Sequence, residues 1–166
     1  GDPLTFNVQY SRDNGSSWEM VAQNLKDTSV TLDAINFQAG SRARIRVWAS
    51  DGIHTASDQS DNTFTVPNHL PTVSITQPKA DLTIAVGQTL ALQGVAYDID
   101  TGTLTSPYLD WTSSIDGYLG SGDTLSLTLS EGVHTVTLSA DDGRGGTASA
   151  AVRVTVVATL AEVPPV

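Results

Sequence analysis

The chain has 166 residues, of which 18 are acidic, 8 are basic and none is cysteine, and its net charge is −10. This charge disfavours nucleic-acid binding, because contacts to phosphate need clustered lysine and arginine, and the missing cysteine rules out disulfides and thiolate ligands. No apolar run is long enough to predict a membrane-spanning helix, and the many Ser, Thr, Gly and aliphatic residues favour β-structure.

The first part of the chain, residues 1–66, predicts a small β-domain. Apolar and polar residues alternate with period two, which is typical of strands that have one buried and one exposed face. The predicted strands cover residues 4–11, 18–23, 29–35, 42–50 and 62–67.

The stretch SRDNGSSW, residues 11–18, fits the pattern Ser-x-Asp-x-Gly-x-x-Trp and resembles the Asp-box hairpin best known from sialidases. Each part has a structural use in a turn: Asn-Gly suits positive φ, the aspartate can accept amide hydrogen bonds, and the tryptophan can cover the turn. The chain has one such box and too few residues for a propeller. We therefore interpret the stretch as a structural hairpin and not as part of a glycosidase. Its defining residues are Ser11, Asp13, Gly15 and Trp18.

Three arginines alternate with apolar residues in the fourth predicted strand. Arg42, Arg44 and Arg46 should project from one face, together with Trp48. One interpretation is a solvated face on which the arginines pair with acids and stack on an aromatic ring. The other is a binding surface for an anionic ligand or a carbohydrate, with Trp48 as the stacking platform.

Residues 67–72 contain two prolines and predict a short linker. Residues 73–157 predict a second β-unit, and residues 158–166 predict a proline-containing tail or linker. Seven period-two runs at short spacing, with a tryptophan on the third main strand, indicate an immunoglobulin-like sandwich. These runs are residues 72–78, 81–87, 89–98, 107–114, 124–130, 133–141 and 147–156.

The second unit resembles bacterial extracellular immunoglobulin-like repeats of the PKD and cadherin-like type. The resemblance rests on GVAYDIDTGTL (94–104), WTSSIDGYLGSG (111–122) and LSEGVHTVTLSADDGRGGTASAAVRVTV (129–156). The common PKD signature Trp-x-Phe-Gly-Asp-Gly is replaced here by Trp-Thr-Ser-Ser-Ile-Asp-Gly. The first unit is similar to a fibronectin type III-like module. Such modules have seven strands, so the similarity implies that the first two are missing; the alternative is a small five-stranded domain.

Several aspartates at strand ends of the second unit are candidates for a calcium site. In an immunoglobulin-like sandwich the ends of the second and sixth strands lie at the same pole, and carboxylate oxygens are ligands that Ca²⁺ prefers. The alternative is that these residues cap turns, since Asp-Gly occurs at three positions of the chain. The main candidates are Asp98, Asp100, Asp141 and Asp142, and the lesser ones are Asp110 and Asp116.

The sequence therefore predicts an all-β chain of two tandem immunoglobulin-like sandwiches without enzyme activity, because no catalytic motif is present. His54 and His69 are expected in an exposed loop and in the linker, and His134 as a buried hydrogen-bonding residue at a strand start. The resemblance implies an extracellular or cell-surface bacterial protein, in which the modules act as spacers between neighbouring domains of the same polypeptide. The alternative is an adhesion module that binds a glycan or a surface protein and is stabilised by Ca²⁺.

Overall fold

The computed structural model describes residues 3–158, so most of the predicted tail at 158–166 lies outside the described residues. The chain divides into two compact units, Gly1–His69 and Leu70–Val166. In the described part, regular structure is β except for one 3₁₀ turn, which confirms the predicted all-β fold class. No helix among these residues has the length and apolarity that crossing a membrane requires.

The first unit contains one antiparallel sheet in the order β2-β1-β3-β4, and β5 also pairs with β3. The strands are β1 (Thr5–Ser11), β2 (Glu19–Leu25), β3 (Gly40–Ser50), β4 (Thr55–Gln59) and β5 (Phe64–Val66). The core of the unit lies on one side of this sheet, where Val8, Tyr10 and Ala43 are buried. The ring of Phe37 stacks on that of Tyr10 with 4.6 Å between centroids.

In the first unit one predicted strand was wrong and one observed strand was not predicted. Residues 29–35 form no strand: they end in the 3₁₀ turn Ala34–Asn36, where the carboxylate of Asp33 accepts a hydrogen bond from the Ile35 amide at 3.1 Å. Such a local cap offers the backbone an alternative to a ladder despite the alternating sequence. The strand β4 was not predicted, because all five of its residues are exposed and no alternation marks it.

The second unit has two sheets, in the orders β11-β10-β13-β14-β7 and β12-β8-β6, and β9 pairs with β8. All pairs are antiparallel except β14 with β7, which are parallel. Apolar residues of both sheets share one core cluster, as in a sandwich. The strands are β6 (Thr72–Gln77), β7 (Leu82–Ala85), β8 (Leu90–Asp98), β9 (Gly102–Leu104), β10 (Leu109–Ser113), β11 (Gly117–Ser121), β12 (Thr124–Leu127), β13 (Gly132–Asp141) and β14 (Thr147–Val157).

A close approach of the backbone to the core occurs at Gly94 in β8. A Cβ atom there would overlap the Leu138 side chain and would lie 3.2 Å from Cζ2 of Trp111. Both of these side chains are fully buried. A glycine in the middle of a strand is therefore needed where the two sheets meet around the tryptophan.

Candidate functional site

The predicted hairpin joins β1 to β2, and its polar side chains hydrogen-bond to its own backbone. The hydroxyl of Ser11 accepts the amide of Gly15 at 2.7 Å and donates to Asp13 Oδ1 at 2.8 Å. Asp13 Oδ1 accepts the amide of Ser17 at 2.8 Å, and Oδ2 accepts its hydroxyl at 2.7 Å. Above all the Ser17 hydroxyl, then the Ser17 amide and the Ser11 hydroxyl, lower the pKa of Asp13 to about 2.

The tryptophan of the hairpin covers its turn. Gly15 has a φ of +88°, and a Cβ atom there would lie 3.3 Å from Cζ2 of Trp18. Glycine thus supplies both the backbone conformation and the space for the ring. All four residues predicted to form the turn act within the hairpin, which supports the structural interpretation of this stretch.

The arginine stripe lies on the face of the sheet opposite the core, and two of its members are tied to neighbouring side chains. The Arg46 guanidinium lies 4.1 Å from the ring centroid of Trp18 and 5.1 Å from that of Trp48. Oε1 of Gln9 accepts from Arg46 Nη2 at 2.6 Å and from Trp48 Nε1 at 2.9 Å. Arg44 donates to Asn14 Oδ1 at 2.7 Å. This geometry favours a self-contained stack over an open binding platform.

The predicted calcium residues differ in their surroundings. Asp98, Asp100 and Asp142 are buried, with at most 4% of their surface exposed, whereas Asp141 is exposed. The Asp142 carboxylate accepts the amides of Arg144 at 2.7 Å and Gly146 at 2.9 Å, so it closes the turn after β13.

Asp98 holds the turn after β8 through one oxygen only. Its Oδ1 accepts the amides of Asp100 at 2.8 Å and Thr101 at 2.9 Å, as well as the Thr101 hydroxyl at 3.0 Å. Its Oδ2 is buried and has no hydrogen-bond partner. Within residues 3–158, no three His, Asp or Glu side chains are grouped closely enough to hold a metal ion.

The two main pairs of aspartates follow strands of different sheets, since Asp98 ends β8 and Asp141 ends β13. Asp141 lies beside the segment before β10, where its amide donates to the Tyr108 carbonyl at 3.0 Å. The lesser candidates are engaged elsewhere. Asp110 accepts from the Tyr118 hydroxyl at 3.3 Å, and Asp116 accepts from the Ser130 amide at 3.0 Å.

His134 is fully buried at the start of β13, in a cluster of polar groups. Its Nε2 lies 2.8 Å from the Ser130 carbonyl oxygen and its Nδ1 lies 2.8 Å from the Ser113 hydroxyl. A carbonyl can only accept, so Nε2 carries the proton and Nδ1 accepts from Ser113. Asp116 Oδ2 lies 3.9 Å from Nδ1. Hydrogen bonds from the Ser130 hydroxyl and then from the Ser130 amide lower the pKa of Asp116.

This serine, histidine and aspartate are arranged around the ends of β10 and β13 as structural supports. The Ser113 hydroxyl also accepts the amides of Ile115 and Asp116, each at 3.2 Å, so it holds the turn after β10. Because His134 has no exposed surface, a substrate cannot reach the imidazole. His54, which was predicted to lie in a loop, is exposed, and its Nδ1 lies 3.3 Å from Asp51 Oδ2.

One feature of the second unit was not predicted from the sequence, namely a groove at the end of its larger sheet. It is lined by residues from the segment before β10, from β10 itself, from β13 and from the start of β14. The sequence contains a signal for it, because Tyr108 and Asp110 alternate with the buried Leu109. The groove residues that neighbouring strands contribute depend on how the strands pair, and a single stretch of sequence does not show that pairing.

The second unit is thus an immunoglobulin-like β-sandwich, defined by its two facing sheets and shared core. No family model and no curated protein matches the chain. Among solved structures, fibronectin(III)-like modules of Clostridium thermocellum CbhA are 21% identical over 93% of this chain and 79% of theirs, with a TM-score of 0.47. Domains 4 and 5 of the S-layer protein SbsC are 16% identical over 93% and 70%, with a TM-score of 0.42.

A third similar structure contains the three N-terminal domains of the bacteriophage RB49 highly immunogenic outer capsid protein. It is 16% identical over 93% of this chain and 49% of that chain, with a TM-score of 0.41. The present chain therefore spans about half of that phage chain.

Proposed function

We propose that the chain is a non-catalytic, load-bearing spacer within a larger extracellular bacterial protein, in which it separates neighbouring domains of the same polypeptide. The observation that carries this proposal is the parallel pairing of β7 with β14. Among the described residues, β14 is the last strand of the second unit and β7 is its second, so tension from the flanking chain reaches β14 directly and reaches β7 through β6.

The pairing runs from Leu82 opposite Val154 to Ala85 opposite Val157. The Val86 amide adds a hydrogen bond of 2.8 Å to the Val157 carbonyl. In a parallel pair, the end at which the chain enters β7 and the end at which it leaves β14 lie at opposite ends of the ladder. Tension between them therefore acts along the strands and loads all their hydrogen bonds together. An antiparallel pair pulled from one end would open one bond at a time.

Single-molecule pulling tests this function. Val86→Pro removes the amide that bonds to Val157, and we expect a lower unfolding force for the second unit when it is pulled through the two ends of the chain. Forced unfolding reports the unfolding rate under load, so it measures the clamp itself. Val86→Ala is the matched control, because it shortens the same half-exposed side chain and keeps the amide. Equal forces for Val86→Pro, Val86→Ala and the unchanged chain would contradict a load-bearing role.

A second candidate role is calcium-dependent stabilisation of the second unit, and the buried Oδ2 of Asp98 without a partner favours it. A buried carboxylate oxygen that lacks a hydrogen bond is costly, and a cation would satisfy it. Since no three carboxylates of the described residues are grouped closely enough to hold a metal ion, Asp98 is the one side chain that this role assigns to the cation. Backbone carbonyl groups of the turn after β8 and water can complete the oxygen ligands that Ca²⁺ needs.

Thermal melts in excess Ca²⁺ and in EDTA test this role, because a ligand that binds only the folded state raises the melting temperature. We expect a rise of several degrees in Ca²⁺ that disappears in Asp98→Asn. Asp123→Asn removes an equal charge from an exposed residue and should keep the rise. Identical melts of the unchanged chain with and without Ca²⁺ would refute the proposal.

A further inference from the structure

We propose that the groove at the end of the larger sheet of the second unit binds the lysine side chain of a basic peptide. The groove has a volume of about 510 Å³, within the usual range for ligand sites in proteins. Its main lining residues, drawn from β10, β13, β14 and the segment before β10, are Pro107, Tyr108, Asp110, Ser139, Asp141 and Thr147.

Two carboxylates face the groove from neighbouring strands. Asp110 pairs with Ser139 across the ladder, and Asp141 follows two residues later on the same face. The two aspartates are therefore diagonal neighbours about 7 Å apart. Among residues 3–158, no lysine, arginine or histidine forms an ion pair with either of them. The groove thus carries two negative charges that a cation can neutralise.

Aromatic rings complete the surroundings of these charges. The ring of Tyr108 lies against Gly143, where a Cβ atom would be 3.2 Å from its Cε1 atom. Nearly half of its surface is exposed, and Tyr118 on β11 is 65% exposed. An exposed tyrosine ring attracts a cation through its π-face, and it can pack against the aliphatic part of a lysine side chain.

The hydrogen bonds of the carboxylates favour an ammonium group over a guanidinium group. Asp110 uses Oδ1 for the hydroxyl of Tyr118 at 3.3 Å, and Asp141 uses Oδ1 for the amide of Gly143 at 2.8 Å. One oxygen of each carboxylate is therefore engaged, and the two Oδ2 atoms that accept no such bond belong to different side chains. A lysine ammonium is a compact charge with three donors that can reach two separate oxygens.

The wider charge of the unit supports a basic peptide as the occupant. Residues 67–166 contain ten acidic and three basic residues, a net charge of −7. Such a field raises the encounter rate with a cationic segment and weakens with added salt. A neutral sugar can donate hydroxyl hydrogen bonds to these carboxylates but leaves their charge unneutralised, whereas a cation removes it.

The test is an NMR titration of the full chain with the capped tripeptide acetyl-Gly-Lys-Gly-amide, and with acetyl-Gly-Gln-Gly-amide as the uncharged probe. We expect saturable shifts at Tyr108, Asp110 and Asp141 with the lysine peptide alone. Asp110→Asn should weaken the affinity by about threefold to tenfold. Asp123→Asn makes the same change of charge at an exposed residue outside the groove, and it should leave the affinity unchanged.

A second variant fills the site from within. Ser139 lies on the floor opposite Asp110, so Ser139→Lys should place an ammonium group in the groove and abolish peptide binding while the rest of the spectrum is preserved. Equal weakening by Asp110→Asn and Asp123→Asn would show a diffuse charge effect and overturn the proposal. Equal shifts with the glutamine peptide or with glucose would do the same, because a lysine-specific groove binds neither.

Discussion

Trp111→Ala should lower the free energy of unfolding of the second unit by about 4 kcal/mol. The indole has no exposed surface and lies in the core cluster shared by both sheets. Its Nε1 donates to the Gly122 carbonyl at 2.9 Å. The truncation therefore creates a large cavity and also leaves a buried carbonyl without its donor. Gly94 lies close to the ring, and because it has no side chain it cannot fill the cavity.

Urea denaturation followed by circular dichroism measures this loss. Trp111→Phe keeps an aromatic ring in the core but removes the donor to Gly122, so it should cost about 1–2 kcal/mol. Trp48→Ala, in the first unit, is the control for location and should leave the transition of the second unit in place. A Trp111→Ala chain within about 1 kcal/mol of the unchanged protein would mean that the ring does not pack as described.

His134→Leu is the second large effect, with an expected loss of about 3 kcal/mol. Leucine has a similar volume, so little packing is lost. The variant removes the donor to the Ser130 carbonyl and the acceptor for the Ser113 hydroxyl. The hydroxyl also holds the turn after β10, so both strand ends are weakened at once. A buried polar group that loses its partner lowers the free energy of unfolding by more than its hydrogen bond contributes when formed.

The matched control is Val133→Leu, one residue earlier in the same strand, because Val133 is 59% exposed. Its melting transition should stay close to that of the unchanged chain. Thermal melts monitored by circular dichroism at neutral pH distinguish the two. If both variants melted alike, the buried imidazole would have no special part in holding the strand ends.

The sequence predicted most of the second unit because its strands have one face in a shared core. The alternation of Val136, Leu138 and Ala140 with polar residues reads directly as burial, and it also placed His134 inward at the strand start. In the first unit, alternation failed at residues 29–35, where the cap at Asp33 stabilises a different local structure. A fully exposed strand such as β4 gives no signal of this kind.

The candidate sites depend on the register in which strands pair, and the alternation within one strand does not predict that register. Alternation put Arg46 and Trp48 on one face, yet Trp18 of the hairpin turn and Gln9 of β1 determine what those side chains contact. Similarly, Asp98 and Asp141 are equivalent in sequence as aspartates at strand ends. Only the folded chain distinguishes the buried carboxylate with an unpartnered oxygen from the exposed one.

The parallel pairing of β7 and β14 also constrains how the unit is made. Leu82 meets Val154, which is synthesised 72 residues later, so a ribosome working at about 5–20 residues per second delivers the partner on the order of ten seconds after β7. Until then the edge of β7 and much of the core are without their last strand. Contacts of this sequence separation close slowly. A chain released early, without β14, would expose apolar surface to chaperones and proteases.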